Sequence, residues 1–564
     1  MTMRLVESFL AAHPELAVFL VLGLGYLIGR IGWRGFAIGP VTGCLFAGLL
    51  VGQVADVPVS DTAKSILFLL FLFGIGYSVG PRFLAAIRGD GLPAMAIGII
   101  VPLSGLATAV AVAKALSLDV GFAAGLYSGG LTESPAIGTA AEAIKALALT
   151  EAERLRLTSH IAVADGLTYL FGTIGVILMT SVIGPLLLRV NLREAARELE
   201  LRYGFSAAKP GVHSAWRPID VRAYAIAEGS PAAGLSIAQA EAAVKEARVF
   251  FFRVRRNGAL IEAAPSLVLQ AGDVVAATGR REALINVIGT AGRELEDPEL
   301  LDMPTLTQDA YVSNAAVAGK PLREIAEQYA ERGLFVRRIM RGGLAIPVAP
   351  GTVILRGDRV SLTGPEAAVS RALALAGQGV SLTDTTDFAT VGFAIFLGGV
   401  AGMLIGFQAA GVRVTLGISV GTLLAGLVVG WLRSRRPHFV PVPEPVVAFM
   451  TAIGLAAFVG MVGLHAGPIF VSAVKEVGIG LLLGGVVVTL VPQFVGLLVG
   501  HFVLRMNPIL LLGALAGAQT VTAGLAALQE RSGSPVGVLG YSAAVPFGHV
   551  LLTSGGTAVV WLMT

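Results

Sequence analysis

The sequence predicts a polytopic α-helical membrane protein: two inverted-topology repeats of about five transmembrane helices plus a re-entrant or broken segment each, with two small α+β domains inserted between them. Three observations carry this. Of 564 residues, 55% are hydrophobic and 14% are charged, a balance foreign to ordinary soluble domains. The charges are unevenly placed, more than half of them lying between Asn191 and Asp384, so the chain reads membrane, soluble, membrane. Its two apolar ends also resemble each other residue by residue. The divisions that follow are 1–190 for the first membrane repeat, 191–296 for a linker and the first inserted domain, 297–384 for the second inserted domain, and 385–564 for the second membrane repeat.

In the first repeat, apolar runs of spanning length fall near Leu16–Ile31, Ala37–Val54, Ser65–Val79, Leu92–Leu116 and Leu157–Val190. Between the last two lies Gly125–Ala140, GLYSGGLTESPAIGTA, too polar and too rich in glycine for a lipid-facing helix. Hydrocarbon tolerates exposed backbone polar groups only where they are buried in protein or line a cavity, so this stretch is expected to be a re-entrant hairpin or a broken helix at a binding site. Lys and Arg in short loops set the orientation. Arg30, Arg34, Arg82, Arg88, Arg189 and Arg193 place alternate loops and the charged middle in the cytoplasm, with both termini outside. No cleaved signal peptide is expected ahead of the first span.

In the second repeat, spans are expected near Phe388–Phe407, Val414–Leu432, Val446–Leu464, Gly478–Val503 and Val536–Met563, with a polar break again before the last, Gly513–Leu528. Three blocks align in order. Gly25, Leu27, Ile28 and Gly29 match Gly402, Leu404, Ile405 and Gly406; Gly43, Gly48 and Gly52 match Gly421, Gly426 and Gly430; Gly76, Gly80 and Pro81 match Gly463, Gly467 and Pro468. If the two polar breaks pair, Thr132 aligns with Thr520. An odd number of crossings per copy, joined by a cytoplasmic link, inverts the second copy relative to the first.

From Asp220 the pattern switches to alternating β-rich runs with Gly, Pro and Asn turns and a short helix near Ile237–Ala247, and the order repeats from Asp309. Each copy carries a glycine-proline turn before its helix, at Gly229 and Pro231 and at Gly319 and Pro321. Each also carries a late Gly-Asp pair, Gly272–Asp273 and Gly357–Asp358. On these motifs both copies resemble the C-terminal domain of regulators of potassium conductance (TrkA-C), which implies a ligand-sensing or dimerising module. Asp273 and Asp358 read as β-turn acids, not as catalytic groups.

Two related membrane blocks flanking paired domains of this kind resemble the aspartate:alanine exchanger family of bacterial transporters. The resemblance implies a multi-pass carrier of the bacterial inner membrane, homodimeric, exchanging small amino acids or dicarboxylates, with an unknown regulatory ligand on the cytoplasmic domains. The residues themselves suit a small anionic or zwitterionic solute, because unwound backbone and hydroxyls offer donors to a carboxylate. The substrate-binding candidates are Ser128, Gly129, Thr132, Glu133 and Ser134 from the first break and Gln519, Thr520 and Thr522 from the second. The plain role for such small residues is close helix packing.

Asp165 joins the candidates as an intramembrane carboxylate, with His160, a helix end or a coupling cation as its partner. Tyr541 occupies the related region of the second copy, where no acid stands. Arg82 reads as a positive-inside anchor that a Gly-Pro break could turn towards the pathway. His465 and His549 read as satisfied helix-end residues, and the one cysteine, Cys44, as a small core residue. No hydrolase nucleophile motif, P-loop or metal-ligand cluster stands out, so no catalytic residue, cofactor or metal is assigned and ATP-driven pumping lacks support. Basic residues without an aromatic patch do not suggest nucleic acid. A ligand-gated ion channel is the competing class, and no TVGYG-like filter supports it.

Overall fold

Apolar runs become helices because a membrane leaves the backbone no other partner than itself. The computed structural model describes residues 2–33, 36–86, 91–203, 220–244, 249–279, 284–285, 292–302, 305–329, 333–341, 344–379, 386–409, 412–435 and 442–564. The first half forms α1 (Pro14–Gly29), α2 (Pro40–Val54), α3 (Asp61–Ala86), α4 (Leu92–Ala115), α5 (Val120–Gly130), α6 (Pro135–Lys145) and α7 (Glu151–Leu178). The second half repeats the order with α8 (Phe388–Leu404), α9 (Gly417–Arg435), α10 (Glu444–Ala466), α11 (Phe470–Leu498), α12 (Pro508–Ala518), α13 (Thr522–Ser532) and α14 (Val538–Met563). A π-helical turn follows α7 at Met179–Ile183, and another follows α11 at Val499–Val503.

Among the described residues, seven helices are long and apolar enough to cross a membrane, or eight if the bent pair Leu5–Ala12 and Pro14–Gly29 is one span. Helices α2 and α8 have 15 and 17 residues, so they reach only about 22 and 26 Å. Each is separated from its partner helix by a short antiparallel ribbon, Gly32–Trp33 with Phe36–Ala37 in one half and Gly406–Ala409 with Val412–Thr415 in the other.

The halves pack by exchange of equivalents. Helix α2 lies on α10 as α9 lies on α3, and α14 lies on α4 as α11 lies on α7. Glycines that align in sequence stand at these crossings, and others stand where α1 meets α2 and α8 meets α9. A Cβ on Gly48 would stand 2.3 Å from the Gly460 carbonyl oxygen, and one on Gly426 would stand 2.4 Å from that of Phe73. Small residues let the backbones touch, which is how membrane helices gain contact without a hydrophobic drive between them. Cys44 is buried at such a contact, against Gly25.

The middle of the chain forms two sheets of identical topology. The strands are β1 (Asp220–Ile226), β2 (Val249–Arg256), β3 (Ala259–Glu262), β4 (Val274–Gly279) and β5 (Gly292–Leu295), then β6 (Thr305–Val312), β7 (Phe335–Arg341), β8 (Leu344–Ile346), β9 (Arg359–Pro365) and β10 (Gly377–Gly379). They order as β3-β2-β4-β1-β5 and β8-β7-β9-β6-β10. The Gly-Asp motif needs its glycine because Gly272 and Gly357 both turn at φ +88°.

Each motif aspartate sits in its turn and also clamps a neighbouring strand. Asp273 takes two bonds from Arg256 and one from the Gln270 N–H; Asp358 takes two from Arg341 and one from the Leu355 N–H. Arg341 and Asp358 are both buried. Asp358→Ala is therefore expected to cost the second domain about 3–5 kcal/mol, by stranding a buried guanidinium. Hydrogen–deuterium exchange of the full chain should show faster amide exchange in β6, β7 and β9, with the helices of the membrane halves unchanged.

The second domain is fastened to the helices. Arg359 pairs with Glu444 at 2.6 Å, and the Arg433 guanidinium lies 5.1 Å from the centre of the Tyr311 ring. The helix Leu192–Tyr203 packs Leu192, Ala196 and Leu199 into a cluster with Ile509, Leu512, Leu528 and Val536, and its last carbonyl, on Tyr203, accepts from the Gly351 N–H at 2.8 Å.

Candidate functional site

Helix α5 runs alongside α7 in the same direction. Gly121 meets Leu157 and His160, Gly125 meets Ile161 and Ala164, and Gly129 meets Asp165 and Thr168. Since α7 begins level with the start of α5, the intervening α6 must come back the way α5 went in. The first polar break is thus the tip of a re-entrant hairpin. The second is built the same way, with Gly513 against Gly537 and Tyr541 and Gly517 against Tyr541.

The two hairpins approach from opposite ends. Further along α7 and the π turn and short helix that continue it to Leu188, Gly172 meets the carbonyls of Gly129 and Gly130, the Thr180 hydroxyl donates to the Gly524 carbonyl in α13, and Gly184 meets Leu512 in α12. So α7 with this continuation passes from the base of the first hairpin, past the tips, to the base of the second. Helix α14 makes the reverse journey, from Gly540 against Leu510, past Gly548 against Ala518, to Gly556 against Ala136.

Each tip ends its helix by the same device. Thr132 and Thr520 adopt left-handed backbone, φ +58° and +60°. The Thr132 and Glu133 N–H groups turn back to the Gly129 and Ser128 carbonyls at 3.0 and 2.8 Å. The Thr520 and Val521 N–H groups turn back to Gly517 and Ala516 at 3.0 and 2.9 Å. This pair of bonds is the usual helix stop with glycine in the left-handed place. Here threonine holds it in both copies, and Glu133 corresponds to Val521 in the second copy.

The tips touch through these residues. Thr132 donates its hydroxyl to the Gln519 carbonyl at 2.9 Å, and Thr520 donates to Glu133 Oε2 at 3.0 Å. Glu133 Oε1 accepts from the Thr553 hydroxyl at 2.9 Å and faces His549 Nδ1 at 3.2 Å, so one buried carboxylate ties both hairpins to α14. Asp165 is also buried and accepts from Ser128 at 2.6 Å, with the Ser134 hydroxyl beside it. Its Cα and carbonyl press on Gly129 as those of Tyr541 press on Gly517. That equivalence makes the charge of the site lopsided, with Glu133 and Asp165 opposite Val521 and Tyr541.

Some expected roles fall elsewhere. His160 does not partner Asp165: its Nδ1 lies 2.7 Å from Asp119, whose carboxylate caps α5. Thr522, the first residue of α13, is exposed and takes no part in the tip-to-tip bonds. Tyr541 approaches the tip with its backbone, and its side chain is buried in a cluster with Val538 and Val545. His549 is not at a helix end but in the middle of α14. Arg82 belongs to α3, and its side chain lies outside the described residues, as does all of Arg88.

Sequence reasoning missed Gln493, the single amide in the apolar span from Gly478 to Val503. Its Nε2 donates to Gln519 Oε1 at 2.7 Å and to the Leu515 carbonyl at 3.2 Å. Gln493 Oε1 and Gln519 Nε2 are buried with no hydrogen-bond partner among the described residues. Such groups are costly unless something meets them. Thr489, also missed, donates to the Gly130 carbonyl at 2.7 Å and holds the first tip against α11.

Residues 17–185 and 394–560 match the family model Asp-Al_Ex, described as "Predicted Permease Membrane Region". The chain belongs to this permease family. Residues 221–288 and 308–377 each match the TrkA-C domain. An uncharacterized transporter of Bradyrhizobium diazoefficiens is 50% identical over 513 residues, 91% of this chain and 99% of its own length. One of Shewanella oneidensis is 36% identical across 100% of both chains, and one of Bordetella bronchiseptica is 37% identical across 99% of each. The permease is thus a multi-span member of a transporter family with two TrkA-C domains between its membrane halves.

Proposed function

We propose that this permease is a secondary antiporter that exchanges small carboxylate-bearing solutes, aspartate- or alanine-type amino acids or dicarboxylates such as succinate, by alternating access. The observation that carries the reading is the meeting of two re-entrant tips from opposite ends of the bundle, joined by Thr132, Glu133, Gln519 and Thr520. Broken helices related by a pseudo-two-fold, with backbone and hydroxyl donors at mid-depth, are the arrangement by which one repeat rocks against the other around a fixed site. Withdrawal of one tip opens the site to one side while the other tip stays closed. The site residues named above then serve the solute: Ser128, Thr132, Thr520 and the free Gln519 amide as donors, and Glu133 and Asp165 as the charges.

Two buried carboxylates, with no Lys or Arg bonded to either among the described residues, would repel a bare dianion. They favour a solute that brings its own ammonium, or one that travels with a proton or cation. An amino acid fits this better than succinate. With the charged middle in the cytoplasm and both termini outside, the carrier works in a bacterial inner membrane as a homodimer, its TrkA-C domains tuning the rate.

Purified protein in liposomes loaded with unlabelled aspartate, alanine or succinate should take up the matching labelled solute by counterflow, with the amino acids exceeding succinate. Absence of counterflow across the panel, or single-channel currents in its place, would overturn the assignment.

A further inference from the structure

Between the second TrkA-C domain and the helix ends at the base of the second hairpin lies a cavity of about 1000 Å³. Among the described residues four arginines line it, Arg341, Arg356, Arg435 and Arg505, and no Asp or Glu does. Arg341 has its charge matched by Asp358. Arg435 stacks over the Trp431 ring at 4.4 Å, and neither it, Arg356 nor Arg505 is ion-paired among the described residues. Arg356 is half-buried and Arg435 and Arg505 are exposed at the cavity's edge; three guanidinium groups with no carboxylate beside them among the described residues make the cavity suited to an anion carrying several charges. Planar guanidinium donors suit phosphate and carboxylate oxygens equally.

The three cations come from different bodies. Arg356 is in the second TrkA-C domain, Arg435 ends α9, and Arg505 stands two residues before Asn507, the residue that caps the second hairpin. Tyr203, at the end of the linker helix that packs on that hairpin, also faces the cavity. An anion held here would draw the domain onto the hairpin base, nearer the start of α14 than the Glu133 carboxylate: Ser542, on the cavity wall, lies seven positions before His549 on α14, a rise of about 10 Å.

We propose that this cavity is a binding site, separate from the hairpin tips, for a compact, multiply charged anion bearing phosphate or several carboxylates. Arg356, Arg435 and Arg505 hold the anion, and its binding locks the second TrkA-C domain against the base of the second hairpin. The site gives the domain pair a direct means of governing hairpin movement, whichever solute crosses at the tips.

The test uses the full-length protein in a neutral detergent, with inorganic pyrophosphate and citrate as separate probes to distinguish phosphate from carboxylate. Saturable binding of at least one probe is expected by calorimetry, weakening as salt rises. Each of Arg356→Gln, Arg435→Gln and Arg505→Gln should loosen it about tenfold, the scale of one charge-assisted contact, while Arg356→Lys should loosen it less and Glu133→Gln should leave it unchanged. The probe should also slow amide exchange around residues 504–510 in the wild type and not in Arg356→Gln. No saturable binding of either probe, binding indifferent to the three arginine variants, or binding lost in Glu133→Gln would each overturn the proposal; the last would assign the anion to the tips.

Discussion

Replacing Glu133 with glutamine is expected to slow counterflow about ten- to a hundredfold while leaving the protein folded and inserted. Glutamine keeps the length and one acceptor oxygen, so the Thr520 and Thr553 hydroxyls can rotate to meet it, and the hairpins need not separate. What disappears is the charge that strengthens those bonds and faces His549. Bonds to a charged group contribute about 1.5–3 kcal/mol each, and each 1.4 kcal/mol is tenfold, so two of them weakened by half account for about one to two orders of magnitude. Asp165→Asn should do less, because Asp165 bonds within the first half, to Ser128, and does not bridge the hairpins. Initial rates of aspartate counterflow, taken at matched protein content and matched thermal stability, check both. A Glu133→Gln rate within threefold of the wild type would remove Glu133 from the site.

Much of this arrangement was legible beforehand because it rests on patterns that physics leaves little choice about. Long apolar runs must be helices, and the glycines at 43, 48 and 52 and at 421, 426 and 430 repeat because two backbones touch at each crossing. The polar breaks were visible because hydroxyls and glycine have no place on a lipid-facing helix. Their re-entrant shape was not visible, since a broken crossing has the same composition; only the register of Gly121, Gly125 and Gly129 along α7 separates the two. His549 and Thr553 were missed as partners of Glu133 because they stand far along the chain in a helix whose pattern is simply apolar. Gln493 could have been found by asking which amide is stranded in a span, the question that singled out Asp165. The pairing of His160 with Asp119 escaped because Asp165, five positions further along the same helix, is only one of several neighbours a tertiary fold can supply.

Exchanging either tip threonine for glycine is expected to separate stability from transport. A β-branched residue in left-handed backbone is strained by about 1–2 kcal/mol, and glycine is free of that strain. Thr132→Gly and Thr520→Gly should therefore melt no lower than the wild type, even though each removes a hydrogen bond between the hairpins. Transport should fall about tenfold in each, since an interhelical bond of this kind contributes about 1 kcal/mol and the hydroxyl is also a donor to the solute. Serine at either position should recover most of the rate, and valine, which keeps the strain and loses the donor, should both melt lower and transport poorly. Because the two hydroxyls close one interface from opposite sides, the double glycine variant should lose less than the product of the single losses. Thermal melts and counterflow on the same preparations decide the matter. Glycine variants that transport like the wild type would mean that the strained threonines are there for packing alone, and the tips would then be a hinge without being the site.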